Sequence, residues 1–274
     1  MNKEFKEKYP EWCNDKKKYY MCLSDDIDSL FSCLLLQKIK GYEISHFYSF
    51  DKMYKAADFK RNKYKLIGID MDLIADGDYY PRCWGNHPTG FKNKNSANIN
   101  VIQGISNVDY FKKYAGSTLL QIISYYDVDI KSMTEEQMMV LLCVDTTFKQ
   151  YAFNSSLSKY YLVDILELPE LYKLCESHTQ QEFYNILVKY NLHKKIKMNE
   201  DGKLQTEIDL DGLSKLFNAS FLLPKNEFEL INEYYDIGVP VNNLDYTLKK
   251  IADENMIVFS SAMTNRNYIK LSYN

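Results

Sequence analysis

The sequence predicts an α/β fold: a mostly parallel sheet with helices on both faces, followed by a smaller C-terminal α/β domain. Three observations carry this. Tyr19-Tyr20-Met21-Cys22-Leu23 is apolar enough for a buried strand and runs into Ser24-Asp25-Asp26-Ile27-Asp28. Lys65-Leu66-Ile67-Gly68-Ile69 is a second such run and stops at Asp70. A stretch with apolar residues at helical spacing follows the first of them. Continuous apolar strands alternating with helices belong to parallel sheets covered on both faces.

Taken in order, residues 1 to 18 are heavily charged and read as a surface helix or arm. After the first strand, Leu30, Cys33, Leu34 and Ile39 mark an amphipathic helix opened by a short polar residue. Tyr42 to Tyr48 alternates as a second strand, and Asp76 to Asn98 is polar and loop-like. A helix is expected over Ser117 to Tyr126, and another begins at Thr134 with Glu135 and Glu136 in its first turn, ending at Asp145. Residues 1–190 form the first expected domain and 195–274 the second. In the latter, Asn199-Glu200-Asp201-Gly202 reads as a turn, and Met256 to Ser261 and Asn265 to Leu271 as strands.

The 274 residues are 46% hydrophobic, ample for a buried core. A net charge of −3 argues against a global field that binds nucleic acid nonspecifically. No apolar run approaches the ~20 residues that cross a bilayer, and the first residues lack a signal-peptide core, so no membrane partner and a cytoplasmic location are expected. The six scattered cysteines show no metal-finger spacing and fit reduced core residues. Abundant Lys, Asn, Tyr and Ile fit an AT-rich genome, as in a low-GC bacterium or its phage.

Candidate chemistry concentrates at the strand ends. In doubly wound sheets, ligands bind beyond the carboxyl ends of the strands, where Asp26, Asp28 and Asp70 are expected. One short polar residue suffices to cap a helix; several carboxylates crowded together repel one another unless a cation joins them. Asp145 ends a densely apolar helix, where a carboxylate is costly unless it reaches the surface or a partner. His87 stands in the loop Asn86-His87-Pro88-Thr89-Gly90.

The order Asp26-x-Asp28 after a strand, Asp70 ending a later strand, His87 in a following loop and Asp145-Thr146 after a helix resembles the DHH phosphoesterase superfamily. That superfamily includes single-strand exonucleases, oligoribonucleases and cyclic-dinucleotide phosphodiesterases. The resemblance covers roughly residues 18 to 150. It implies a metal-dependent hydrolase of a nucleotide or short single-stranded nucleic acid. One Mn²⁺ or Mg²⁺ would be held by Asp28, Asp70, His87 and Asp145; a second would use Asp26, Asp70 and a residue just upstream, here Cys22 or Ser24. Hard carboxylates and imidazole suit such ions. Where the superfamily has Asp-His-His, this chain has Asn86-His87-Pro88, so Asn86 is carried as a substrate-contacting candidate. Arg266 and Lys270 are the expected phosphate ligands from the C-terminal domain, which lacks the superfamily's glycine-rich tail. A homodimer is one option for the assembly.

Two other readings compete. Asp70-Met71-Asp72 looks like the strand-end Asp-x-Asp of haloacid-dehalogenase-type phosphatases, although Ile74 stands where that family has Thr or Val. A non-catalytic DHH-like protein that binds a nucleotide or a protein partner is the other.

Overall fold

The computed structural model describes residues 1–60 and 65–274. Its strands are β1 (Tyr20–Leu23), β2 (Glu43–Tyr48), β3 (Lys52–Ala56), β4 (Leu66–Ile69), β5 (Arg82–Trp84) and β6 (Ser96–Ala97). They continue as β7 (Ile196–Met198), β8 (Leu204–Thr206), β9 (Phe228–Glu233), β10 (Tyr235–Pro240), β11 (Val258–Asn265) and β12 (Tyr268–Tyr273). The helices are α1 (Lys3–Lys6), α2 (Ile27–Lys40), α3 (Ile99–Ile102), α4 (Thr118–Tyr125), α5 (Glu135–Cys143), α6 (Phe148–Phe153), α7 (Ser155–Lys159), α8 (Pro169–Ser177), α9 (Gln180–Lys189), α10 (Leu210–Phe217) and α11 (Leu244–Asp253).

The main sheet has seven strands in the order β6-β5-β4-β1-β2-β3-β9. β1, β2, β4, β5 and β6 run parallel, while β3 and β9 join antiparallel beyond β2. The expected α/β class is therefore what the chain adopts. From β1 the chain moves outward to β2 and β3, then returns to place β4 on the other side of β1. That reversal makes the gap between β1 and β4 the switch point, where the loops diverge and a crevice opens.

Strand periodicity divides the side chains. Met21, Leu23, Ile67, Ile69 and Trp84 enter the large core with Leu30 and Leu36 of α2 and Leu119, Ile122 and Ile123 of α4. Cys22, Tyr48, Met53 and Cys83 form a smaller cluster with Met71 and Leu73. Phe259 of β11 closes this second cluster, with its ring stacked on Tyr234 at 4.7 Å between centroids.

Three segments depart from the sequence reading. Residues 1 to 18 are not a surface arm: Phe5, Tyr9, Trp12 and Cys13 are buried, and Tyr9 and Trp12 pack on Trp84. Their spacing had been masked by the intervening charges. The 76–98 stretch contributes two short parallel strands, whose polar flanks disguise Cys83 and Trp84 in the core. Finally, the segment from 195 does not fold apart from the rest. Ile196 donates its N–H to the Asp25 carbonyl at 2.7 Å, and β9 extends the main sheet. A separate small core joins Val239, Ile251, Met263, Ile269 and Leu271 of the three-stranded antiparallel sheet β10-β12-β11 and α11 with Tyr110 from the earlier part of the chain.

Candidate functional site

Asp26 is the N-cap of α2, with its carboxylate accepting the N–H groups of Asp28 at 3.1 Å and Ser29 at 3.2 Å. Ser29 ties the crevice together: its hydroxyl donates to the Ile69 carbonyl at the end of β4 (2.7 Å) and accepts the Ser24 N–H (2.7 Å). In the first turn of α2, Asp28 is almost completely buried and points at the start of α4. Its two oxygens accept the N–H groups of Thr118 (2.7 Å) and Leu119 (2.8 Å). The free donors and positive end of α4 are thus met by a carboxylate from another helix.

Asp70 follows β4 with φ +55° and accepts the Thr118 hydroxyl at 2.8 Å. Asp145 (φ +49°) and Thr146 (φ +52°) are consecutive residues in the left-handed region. For a β-branched threonine this conformation is strained, and such strain persists where the surroundings enforce it, often at functional sites. Asn86 donates from Nδ2 to Asp145 at 2.7 Å and to the Gly116 carbonyl at 3.1 Å, leaving its buried Oδ1 without a partner.

These carboxylates feel one another. Burial, then Asp145 and Asp26, push Asp28 well above the usual carboxylate range. Asp70 rises for the same reasons, burial first, then Asp28, Asp26 and Asp145. Asp145 is raised to about 7 by burial and then Asp26. Its residue is exposed, so solvent relieves part of that pressure. His87 is held down to about 4 by burial and Lys113, so its imidazole is neutral at pH 7, and its buried Nδ1 has no hydrogen-bond partner.

The structure therefore brings Asp26, Asp28, Asp70 and Asp145 within electrostatic reach at one sheet edge, with His87 beside them. Among the described residues, no three His, Cys, Asp or Glu side chains form a group ready to hold a metal ion. The donor types and the unpartnered atoms of three candidate residues, Ser24 Oγ, Asn86 Oδ1 and His87 Nδ1, suit a hard divalent cation. Enclosing one requires these side chains to turn toward it.

Two candidates lie elsewhere. Cys22 faces the second core, with its sulfur 3.6 Å from Met53 Sδ and its thiol pushed far up by burial, because β1 turns it to the face opposite Met21 and Leu23. Lys270 pairs with Asp236 across the small sheet at 3.0 Å. Arg266 does come near, with its guanidinium 5.7 Å from the centre of the Phe111 ring. Asp72, the partner of Asp70 in the dehalogenase-like reading, is not beside it in an open pocket. Its oxygens accept Asn98 Nδ2 (2.6 Å) and the His87 N–H (3.2 Å), and burial raises it to about 7. Gly85 is obligatory there, since a Cβ would stand 2.1 Å from Asp72 Oδ1.

Several contributors escaped the sequence reading. Lys195 reaches Asp25 at 2.9 Å and Asp26 at 3.2 Å. Burial works against its charge, but Asp26 and Asp25 outweigh it and raise the ammonium. Nothing local singles it out within His193-Lys194-Lys195. Asn98 and Asn100 lock the 86–87 loop: Asn98 Nδ2 reaches the His87 carbonyl at 2.8 Å, and Asn100 Nδ2 reaches the Asn86 carbonyl at 2.6 Å. Their sequence signal was the Asn-x-Asn spacing, since asparagine side chains mimic and cap backbone turns. No family model, curated protein or solved structure matches this chain.

Proposed function

We propose that this protein is a metal-dependent phosphoesterase that hydrolyses a phosphodiester or phosphoanhydride in a nucleotide or short oligonucleotide. The observation that carries the reading is the gathering of Asp26, Asp28, Asp70 and Asp145 at the switch point, each of the last three with a raised carboxyl pKa. Perturbed acids in a crevice mark sites more often than ordinary surface acids do. Asp28, Asp70, His87 and Asp145 would hold the ion, with Asp26 next to them. A bound Mn²⁺ or Mg²⁺ supplies charge neutralisation at the phosphoryl oxygens and acidifies water.

The chain's own groups then have separate tasks. Thr118 orients Asp70 through its hydroxyl, and the α4 N–H groups orient Asp28. Asn86 fixes Asp145 by donating from Nδ2 to its carboxylate. Lys113, whose charge acts on both His87 and Asp145, stands where an anionic group would be attracted.

A second reading is a binding protein without turnover. Asp28 gives both oxygens to α4, and Lys195 already neutralises Asp25 and Asp26, which favours it. A manganese-supplemented screen of bis-p-nitrophenyl phosphate, short RNA and DNA oligomers and cyclic dinucleotides separates the two. Turnover that disappears, together with metal binding, in Asp70→Ala supports the esterase. Metal binding without hydrolysis of any substrate gives the binding reading the field.

A further inference from the structure

A cleft of about 370 Å³ includes Asp145 of the carboxylate cluster in its lining. His87 and Thr146 line it too, together with Phe111, Phe153, Lys113 and Lys149. Phe111 and Phe153 are 55% and 66% exposed, an unusual degree for two phenylalanines in contact. Their rings stack with centroids 6.0 Å apart and planes inclined by 29°. Arg266 lies over Phe111 and Lys113 over Tyr110, at 5.7 and 4.8 Å from the ring centres. Among the described residues, none of Lys113, Lys149 and Arg266 has a carboxylate within ion-pairing distance.

Exposed rings cost solvation without return unless something covers them, and nearby cations without ion-pair partners, Lys113 and Arg266 on Tyr110 and Phe111 and Lys149 over Tyr184 at 5.4 Å, favour an anionic cover. A flat π-system carrying phosphate meets both conditions, since every base offers a face for stacking and the phosphate meets the lysines. The cleft volume is that of a small-molecule site. We infer that Phe111 and Phe153 form a stacking platform for a nucleobase of a short single strand, with Lys113, Lys149 and Arg266 taking its phosphates. This rests on the phosphoesterase reading for the reacting bond, because the platform shares its cleft with His87 and Asp145. It goes further by requiring a base next to that bond.

The test uses the full chain in chelator, so that binding is read without hydrolysis. Fluorescence anisotropy compares labelled 5′-phosphorylated triadenylates, ribo and deoxyribo, with an abasic trinucleotide carrying the same phosphates. Stacking of one base predicts that Phe111→Ala and Phe153→Ala weaken the adenylates about tenfold or more. Both should leave the abasic trimer unchanged, and Phe153→Trp should restore binding. Lys149→Ala should weaken all three ligands alike. Preference for one sugar identifies RNA or DNA as the source of the strand. Equal affinity for abasic and adenylate trimers, indifference to both phenylalanine substitutions, or no binding at all overturns the platform. The esterase reading fails separately, when no phosphodiester is hydrolysed with manganese although the platform binds adenylates.

Discussion

Asp28 and Asp70 are carboxylates of one cluster, yet their removal should have unequal consequences. Asp28→Ala strips the partners from the buried N–H groups of Thr118 and Leu119. Each orphaned donor costs about 1–3 kcal/mol, so the direct loss is about 2–6 kcal/mol. Relief of repulsion from Asp145 and Asp26 returns part of it, leaving a net destabilisation of about 2–4 kcal/mol. Asp70→Ala removes one bond from a threonine hydroxyl that can rotate elsewhere, and it relieves repulsion from Asp28, Asp26 and Asp145. Its stability should stay within about 1 kcal/mol of the parent, on either side. Urea denaturation at pH 7 in chelator measures both, and a thermal scan should place Asp28→Ala several degrees lower, at about 2–4 °C per kcal/mol. An Asp28→Ala protein as stable as the parent, or less damaged than Asp70→Ala, would refute the role of Asp28 as the acceptor for the first N–H groups of α4.

Other expectations follow from the same geometry. Carboxylates raised in the folded state stabilise it while protonated, so their contribution is lost as pH rises through about 7. The depressed His46 and His87, both near 4, act only below their unfolded value of about 6.5, where stability falls as pH falls. Between pH 6.5 and 8.5 in chelator the melting temperature should therefore drop, and manganese at pH 8.5 should restore it; a flat profile contradicts the cluster. Thr146→Asn, which suits a left-handed residue, should stabilise the fold by about 1 kcal/mol in urea titration; a loss would reveal a contact of the threonine side chain. Lys195→Met removes a half-exposed cation worth at most about 1 kcal/mol of stability. It should raise manganese affinity in titration calorimetry, and weaker binding would show that the ammonium supports the metal instead of competing with it.

The parallel sheet was legible because β1 and β4 are short apolar runs that end at carboxylates, a pattern that survives without tertiary information. Helices α4 and α5 were legible through Ser117 and Thr134, whose side chains cap them as their positions suggested. β3, β5 and β6 were not, because two- to five-residue strands with polar flanks carry no measurable period and are stabilised by their neighbours. Asp26, Asp28, Asp70 and Asp145 could be nominated from strand and helix ends. Lys195 and the platform of Phe111 and Phe153 could not, since chain crossings bring them to the crevice from segments that look ordinary alone. Cys22 misled for a physical reason: period two gives alternation, but which face is which depends on what later packs there.

The position of β9 has a consequence for how the protein is made. β3 pairs with β9 from Lys52↔Glu233 to Ala56↔Phe228, so the sheet gains its outer strand only after most of the polypeptide has been synthesised. Until then, β3 presents an open edge to the cell, the arrangement most prone to adventitious strand pairing. Contacts this distant along the chain also slow folding. A nascent or truncated chain that stops near residue 195 carries the carboxylates but not the guard on its sheet, whereas one that extends past Glu233 carries both. Soluble yield across a truncation series should step up between those two points, with the last ribosome-bound stretch deciding whether the crevice survives its own assembly.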